Sequence, residues 1–402
     1  MKALALKLLR DLFRMRGQVL AIVLIVTCGM ANLVTMISTH GSLQLTQATY
    51  YDQYRFADVF VQLKRAPNRL SAQFEEIPGV GAVQTRVVQD VTLSVAGLAE
   101  PATGRLISIP ERPRPMLNDL YLRAGRYPDR GNEVLASEVF AQANHLELND
   151  TVGAILNGRW QTLRIVGIAL SPEYIYEIRG TEIVPDNKRF GILWMPHKAL
   201  ATAFDMEGAF NDVSLRLMPG ASEADVIFQL DQQLETYGGL GAFGRDDQIS
   251  HTFISDEIRQ LSAHAVFVPS IFLGIAAFLL NLLLSRLIST QRDQIAVMKA
   301  FGYDNLAVGQ HYLKLVLVVV VLGAILGSGL GWWMGRGMTH LYADFYHFPV
   351  LQYEVRPAVL VTALLVSTGA AALGAFLAVR RAVGLPRLRP CDPSPRPPIG
   401  LR

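Results

Sequence analysis

The sequence predicts an α-helical integral membrane protein with four transmembrane helices and a large α+β extracytoplasmic domain. Three observations carry this. Of 402 residues, 51% are hydrophobic and 18% are charged, against about 25% charged in an ordinary globular chain. Four windows, 17–38, 260–285, 315–335 and 357–379, contain no Asp, Glu, Lys or Arg. Each holds the roughly 20 residues that a helix needs to cross a bilayer. The stretch between the first and second windows has ordinary polarity and is long enough for one or two hydrophobic cores. The windows are apolar all round, whereas a helix buried in a soluble core keeps a polar stripe. Only two cysteines, Cys28 and Cys391, are present, which excludes a disulfide framework and gives no zinc or redox motif.

The elements then follow in order. Residues 1–16 read as a cytoplasmic amphipathic helix, with Leu6, Leu9 and Phe13 among basic residues, suited to the headgroup region. The first span is 17–38. A cleaved signal ending near Cys28 is the alternative, but the apolar run continues through Leu33, Val34, Met36 and Ile37, so an uncleaved anchor is expected. The extracytoplasmic domain covers 40–259, the second span 260–287, a cytoplasmic loop 288–314, the third span 315–335, an extracytoplasmic loop 336–356, the fourth span 357–379 and a basic cytoplasmic tail 380–402.

Charge sets the orientation. The N-terminal segment, residues 286–314 and the tail together carry 15 basic and 4 acidic residues, a surplus of 11, so a net charge of +3 leaves the rest of the chain 8 negative. Basic residues collect on the cytoplasmic side, which places both termini there.

Within 40–259, Ala57 to Leu63 and Val83 to Val95 alternate as strands. Asn132 to Leu170 is strand-rich, with EVLASEVFAQ passing from strand to helix and RWQTLRIVGIAL forming a strand. Helices are expected at Asn68 to Glu76 and at Glu223 to Tyr237, the latter capped by Ser222. Arg245 to Ile258 leads into the second span as a continuous helix.

Catalytic chemistry is not visible. No Gly-x-x-x-x-Gly-Lys-Ser/Thr loop, Gly-x-Ser-x-Gly elbow or His-Glu-x-x-His pair occurs. The chain is therefore read as a non-enzyme without cofactor or metal. His340, Asp344 and His347 share helical spacing, yet with Trp332, Trp333, Tyr342, Phe345, Tyr346 and Phe348 they read as an interfacial aromatic belt. Gly323, Gly327, Gly331 and Gly335 stand at steps of four in the third span, and Ala370, Gly374 and Ala378 repeat the pattern in the fourth. Small residues at that spacing let helices approach closely, either as a static seam or as one along which helices move. Asn281 is expected to hydrogen-bond between helices.

One span, a large outside domain and three further spans is a layout that resembles the FtsX-type ABC transporter permeases, which include MacB-like exporters and lipoprotein-releasing complexes. The local match is strongest in Arg292 to Tyr303 (RDQIAVMKAFGY), similar to the family's R-x-x-E-I-A-[VL]-[LM]-K-[AS]-[LI]-G-[AY] stretch, with Gln294 where the family often has Glu. The resemblance implies an FtsX-like permease domain at about 265–384. It also implies a coupling helix seated in a separate ABC ATPase subunit, with Arg292, Gln294, Ile295, Met298, Lys299, Ala300 and Gly302 as the ATPase-coupling residues. Ile295, Met298 and Ala300 supply apolar knobs, while Arg292 and Lys299 supply charge for acidic partners. GNEVLASEVFAQ from Gly131 and FNDVSLRLMPGASEADV from Phe210 look like a MacB-type periplasmic core. The implied function is export or extraction of a hydrophobic cargo (lipid, lipoprotein or drug-like) from a bacterial cytoplasmic membrane, by movement of the outside domain. The alternative is a non-transporting regulator that relays ATPase strokes to an outside enzyme such as a cell-wall hydrolase. The implied partners are the ATPase, a second permease copy or half, and membrane lipid, with no nucleic acid.

The tail LPRLRPCDPSPRPPIGLR has no periodicity. With permissive codon choice, reading it two nucleotides later yields Ala-Pro-Ala-Glu-Ala-Met-Arg-Pro-Glu, close to the family's P-x-E-A-[LM]-R ending. The chain is thus expected to be the first half of a two-repeat permease cut by a frameshift.

Overall fold

In the computed structural model, residues 2–111, 115–180 and 184–383 are described. In chain order the elements begin with α1 (Lys2–Arg14), α2 (Arg16–Gln53), β1 (Val59–Pro67), α3 (Ser71–Glu75), β2 (Val80–Arg86), β3 (Val88–Ser94), β4 (Ala102–Ile109) and β5 (Tyr121–Gly125). Next come β6 (Glu133–Ser137), α4 (Glu138–Ala143), β7 (Thr151–Leu156), β8 (Arg159–Leu170), β9 (Phe190–Pro196), α5 (His197–Ala203), β10 (Ala209–Leu217), α6 (Glu223–Leu234) and β11 (Phe243–Gly244). The chain continues through α7 (Ile249–Thr290), α8 (Arg292–Ala300), α9 (Asn305–Phe345) and α10 (Pro357–Val383). Two compact units result. One comprises Met1–Gly41, Gln260–Met338 and the chain from Tyr353; the other comprises Ser42–Arg259 and Thr339–Gln352.

The first unit is helical. Arg16–Gln53, Ile249–Thr290, Leu306–Phe345 and Pro357–Phe376 are long and apolar enough to cross a membrane. The core of this unit joins Val26, Met30 and Val34 of α2 to Leu280 and Leu284 of α7, Leu315 and Val319 of α9, and Ala371 and Ala375 of α10. Pro269 lies inside α7. Its ring removes one backbone donor, which a membrane helix tolerates when neighbouring groups re-satisfy the ladder.

The second unit holds two sheets. In the smaller, β11-β1-β10-β2, all pairs are antiparallel. Its core sets Val59, Val61, Val213 and Leu215 against Val226, Leu230 and Leu234 of α6 and Phe74 of α3. Ser222 caps α6 by accepting from the Asp225 N–H, as the sequence predicts.

The larger sheet has the order β5-β8-β6-β9-β4-β3-β7, and β7 also pairs with β8. The ring β8-β6-β9-β4-β3-β7 therefore closes on itself. The twelve-residue β8 makes this closure, because Arg159–Arg164 pair with β7 while Arg164–Ala169 pair with β6. An Asn157–Gly158 turn with both residues at positive φ joins β7 to β8, the backbone that a two-residue hairpin favours. Leu93, Leu106, Val134, Val152, Leu163 and Leu193 fill the interior, as a barrel of this size requires.

Between the sheets lies a buried ion cluster. Arg86 of β2 donates to Asp212 of β10 at 2.8 Å and to both carboxylate oxygens of Glu173 at 2.6 and 3.0 Å. Asn118 donates to Glu173 at 3.0 Å and accepts from the Ala57 N–H at 2.9 Å. Burial pushes the Asp212 carboxyl up against the opposing pull of Arg86.

Candidate functional site

The stretch singled out in the sequence as a coupling helix is α8, between α7 and α9. It ends on a Schellman stop. The Gly302 N–H donates to the Lys299 carbonyl at 3.2 Å and the Tyr303 N–H to the Met298 carbonyl at 3.1 Å, and Gly302 has φ +90°. Gly302 is therefore the residue that lets the chain leave the helix.

The seven sequence-assigned residues divide between two faces. Ile295 is buried in the bundle core, Met298 packs against that core half-buried, and Lys299 is buried. Arg292, Gln294, Ala300 and Gly302 are exposed. Beside them lie residues the sequence reading passed over: Asp293, Val297, Tyr303 and Phe301, the last 82% exposed. Val297 was legible in principle, being off the Ile295–Met298 stripe; Phe301 was not, because its exposure depends on where the cap falls.

A polar knot anchors the base of α8. Asp11 of α1, 4% exposed, accepts from Lys7 at 2.9 Å and from the Gln291 amide at 3.0 Å. Lys7 also donates to Gln291 Oε1 at 2.7 Å, and the Tyr312 hydroxyl donates to the same oxygen at 3.3 Å. Gln291 immediately precedes α8, so one amide ties α1, α8 and α9 together. No pattern in the sequence connects residues about 280 positions apart.

The glycines of α9 have two destinations. A Cβ at Gly323 would stand 2.7 Å from Val26, at Gly327 2.5 Å from Met30 Cβ and 2.8 Å from the Thr27 carbonyl, and at Gly331 2.8 Å from the Ala31 carbonyl. Residue numbers rise together along α9 and α2, so these helices run parallel. Thr27 and Thr35 of α2 donate to the Gly323 and Gly331 carbonyls at 3.3 and 3.1 Å. Gly335 instead faces the Tyr353 side chain. In α10, Gly374 faces the α7 backbone, 2.3 Å from the Ala277 carbonyl for a built Cβ, and Ala370 is half-buried; the Ala378 side chain lies outside the described residues. Asn281, expected to bond between helices, accepts from Ser285 one turn along its own helix at 3.3 Å. A nearby intrahelical hydroxyl satisfies it first.

The rings of the aromatic belt expected from Trp332 to Phe348 divide between exposed and buried positions. Thr339–Gln352 belongs to the α+β unit. There the His347 N–H donates to the Ile175 carbonyl at 2.8 Å, Tyr346 packs on Tyr176, and Phe348 on Tyr50. Tyr346 and Phe348 are thus buried against protein, whereas Trp332, Trp333 and Phe345 of the expected belt are exposed. Among the described residues no group of three or more His, Cys, Asp or Glu is arranged to hold a metal ion.

Two carboxyls of the α+β unit are strongly perturbed. Hydrogen bonds from Arg126 lead in holding Glu133 down at about 2. Burial pushes Glu177 up to about 8, with Ser137 donating to it at 2.9 Å. Glu133 is held by Arg126, Arg164 and the Asp129 N–H, and Glu177 by Ser137.

The arrangement defines a multi-span membrane protein with an α+β domain between its first and second spans and a short capped helix between its second and third. Residues 266–386 match the family model described as FtsX-like permease C-terminal. None of the curated proteins matches the chain. Among solved structures it is similar to the periplasmic region of MacB from Actinobacillus actinomycetemcomitans, at 11% identity and TM-score 0.31 over 50% of this chain and 92% of that one. It is also similar to the extracellular domain of the noncanonic ABC-type transporter YknZ from Gram-positive bacteria, at 13% identity and TM-score 0.29 over 47% of this chain and 98% of that one.

Proposed function

We propose that the chain is the permease subunit of an ABC transporter in a bacterial cytoplasmic membrane. It works with a separate ATPase and a second permease copy or half. The observation that supports this is α8, a capped helix between two spans inside the matched 266–386 region. Its inner face anchors to the bundle through Ile295 and Lys299, and its outer face offers Arg292, Gln294, Val297, Ala300 and Phe301 for docking. An apolar tip with flanking charge suits a groove in a partner. The basic surplus on the α8 side supports a cytoplasmic position for α8 and both termini. The cargo class is hydrophobic, because the windows 17–38, 260–285, 315–335 and 357–379 carry no charged side chain to line a polar route.

The test is to sequence the neighbourhood of this gene and co-express the chain with any ABC ATPase encoded there. Co-purification and permease-dependent ATP hydrolysis are expected, with both lost in Val297→Asp and Phe301→Asp chains that still insert in the membrane. An ATPase that neither binds nor responds to the wild-type chain would overturn the reading. Hydrolysis stimulated by hydrophobic cargo supports transport, and activation of an outside enzyme without cargo supports the regulator instead.

A further inference from the structure

We propose that α1 is an anionic-lipid sensor wired to α8 through Asp11 and Gln291. This rests on α8 being the coupling element, as argued above. The first observation is that α1 has two occupied faces. Its inner face, Leu8, Leu12 and Met15, packs on the bundle core. On its outer face Leu6, Leu9 and Phe13 are exposed, Phe13 by 74%, at i, i+3 and i+7. That spacing lines one apolar stripe along a helix.

Arg10, Arg14 and Arg16 are exposed as well. Because α2 starts at Arg16 and continues as a membrane span, α1 has to lie at the level where that span meets water. A short helix there, with an apolar stripe and arginines, fits an interface of acyl chains and anionic headgroups. An acidic protein groove would meet the arginines but leave Leu6, Leu9 and Phe13 without an apolar counterpart. The occupant is therefore the anionic phospholipid of the surrounding leaflet.

The second observation makes this binding consequential. Asp11 sits between the lipid-facing residues in sequence but points inward, where it holds Lys7 and the Gln291 amide in one closed set of hydrogen bonds. Gln291 is the last residue before α8, and the Ile295 N–H of α8 donates to the Gln291 carbonyl at 3.0 Å. A shift of α1 toward or away from the headgroups displaces Asp11, and the buried amide must follow or lose its partners. Anionic lipid thus fixes α1 and, through Gln291, fixes the base of α8.

The experiment is hydrogen exchange on the full chain in nanodiscs of phosphatidylcholine with and without phosphatidylglycerol. With phosphatidylglycerol, amides of 6–14 and of 292–301 should both exchange more slowly, by about fivefold, the worth of one arginine at an anionic surface. In Arg10→Gln/Arg14→Gln, which alters only exposed residues, both responses should vanish. In Asp11→Ala, which removes both acceptor oxygens, the response of 6–14 should remain while that of 292–301 is lost. Exchange at 292–301 that ignores lipid charge in the wild type, or that still follows it in Asp11→Ala, would overturn the proposal. No ATPase is present, so failure of the transporter reading leaves this result untouched, and an ATPase that docks on a lipid-insensitive α8 would sink this proposal alone.

Discussion

At the scale of single residues, the α+β unit commits buried charge to structure. Arg86 meets two carboxylates and is itself buried. Removing one member of such a set leaves uncompensated charge, at a cost of about 3–5 kcal/mol. Arg86→Met should therefore lower the melting temperature of this unit by roughly 10 °C in calorimetry of the full chain in detergent. Glu177 behaves in the opposite sense. Its folded-state pKa is raised from 4.5 to about 8, so between those values the folded chain holds a proton that the unfolded chain releases. Stability contributed at this site is highest below 4.5 and falls as pH climbs toward 8. Glu177→Gln should raise stability by about 3 kcal/mol at pH 7 and by almost nothing at pH 4.5. Equal gains at both pH values would show that the side chain is hydrated after all. Neither residue was legible in the sequence, because the partners that bury them come from distant strands.

At the scale of elements, the seam between α9 and α2 is set by what is missing from glycine. Gly327→Leu would drive a side chain into Met30 and the Thr27 carbonyl, and overpacking of this kind costs about 1–3 kcal/mol. Gly329, two residues on, has open space around its Cβ position, so Gly329→Leu should leave the helical unit's thermal stability in detergent unchanged. Equal losses would count against the packing reading, since replacing glycine by leucine raises helix propensity at both positions. The four-residue glycine step told where close contact falls, but not that Gly335 meets a tyrosine instead of a helix.

Local elements with strong signals were also readable. EADVIFQLDQQL became α6 behind its serine cap, and EVLASEVFAQ became β6 and α4. Val83 to Val95 reads as one alternating strand, yet β2 ends at Arg86 and β3 begins at Val88, in different sheets. Alternation continues across the break, and Val87 is held by a Ser108 hydroxyl that accepts its N–H at 2.8 Å. The β9 residues FGILWMP were passed over because all seven are buried, which erases the two-residue rhythm.

At the scale of the whole molecule, four spans, their limits in charge and the α+β character of the domain were legible, since bilayer thickness and water impose them on any chain. What was not legible is the sheet order, and it has a consequence in time. In the ring, β9 stands between β4 and β6, and in the small sheet β10 stands between β1 and β2. As the polypeptide emerges N-terminus first, β1 to β8 are all present before the two strands that separate them have been made. The ring cannot close until β9, ending at Pro196, has been made, and the small sheet cannot be completed until β11, ending at Gly244, has been made. Until β9 and β10 are made the inner edges of β4, β6, β1 and β2 are unpaired, which is the condition in which strands seek wrong partners. The nascent domain should thus depend on a holding chaperone over this interval, and ribosome-stalled chains ending before residue 190 should be protease-sensitive where chains ending well after 244 resist.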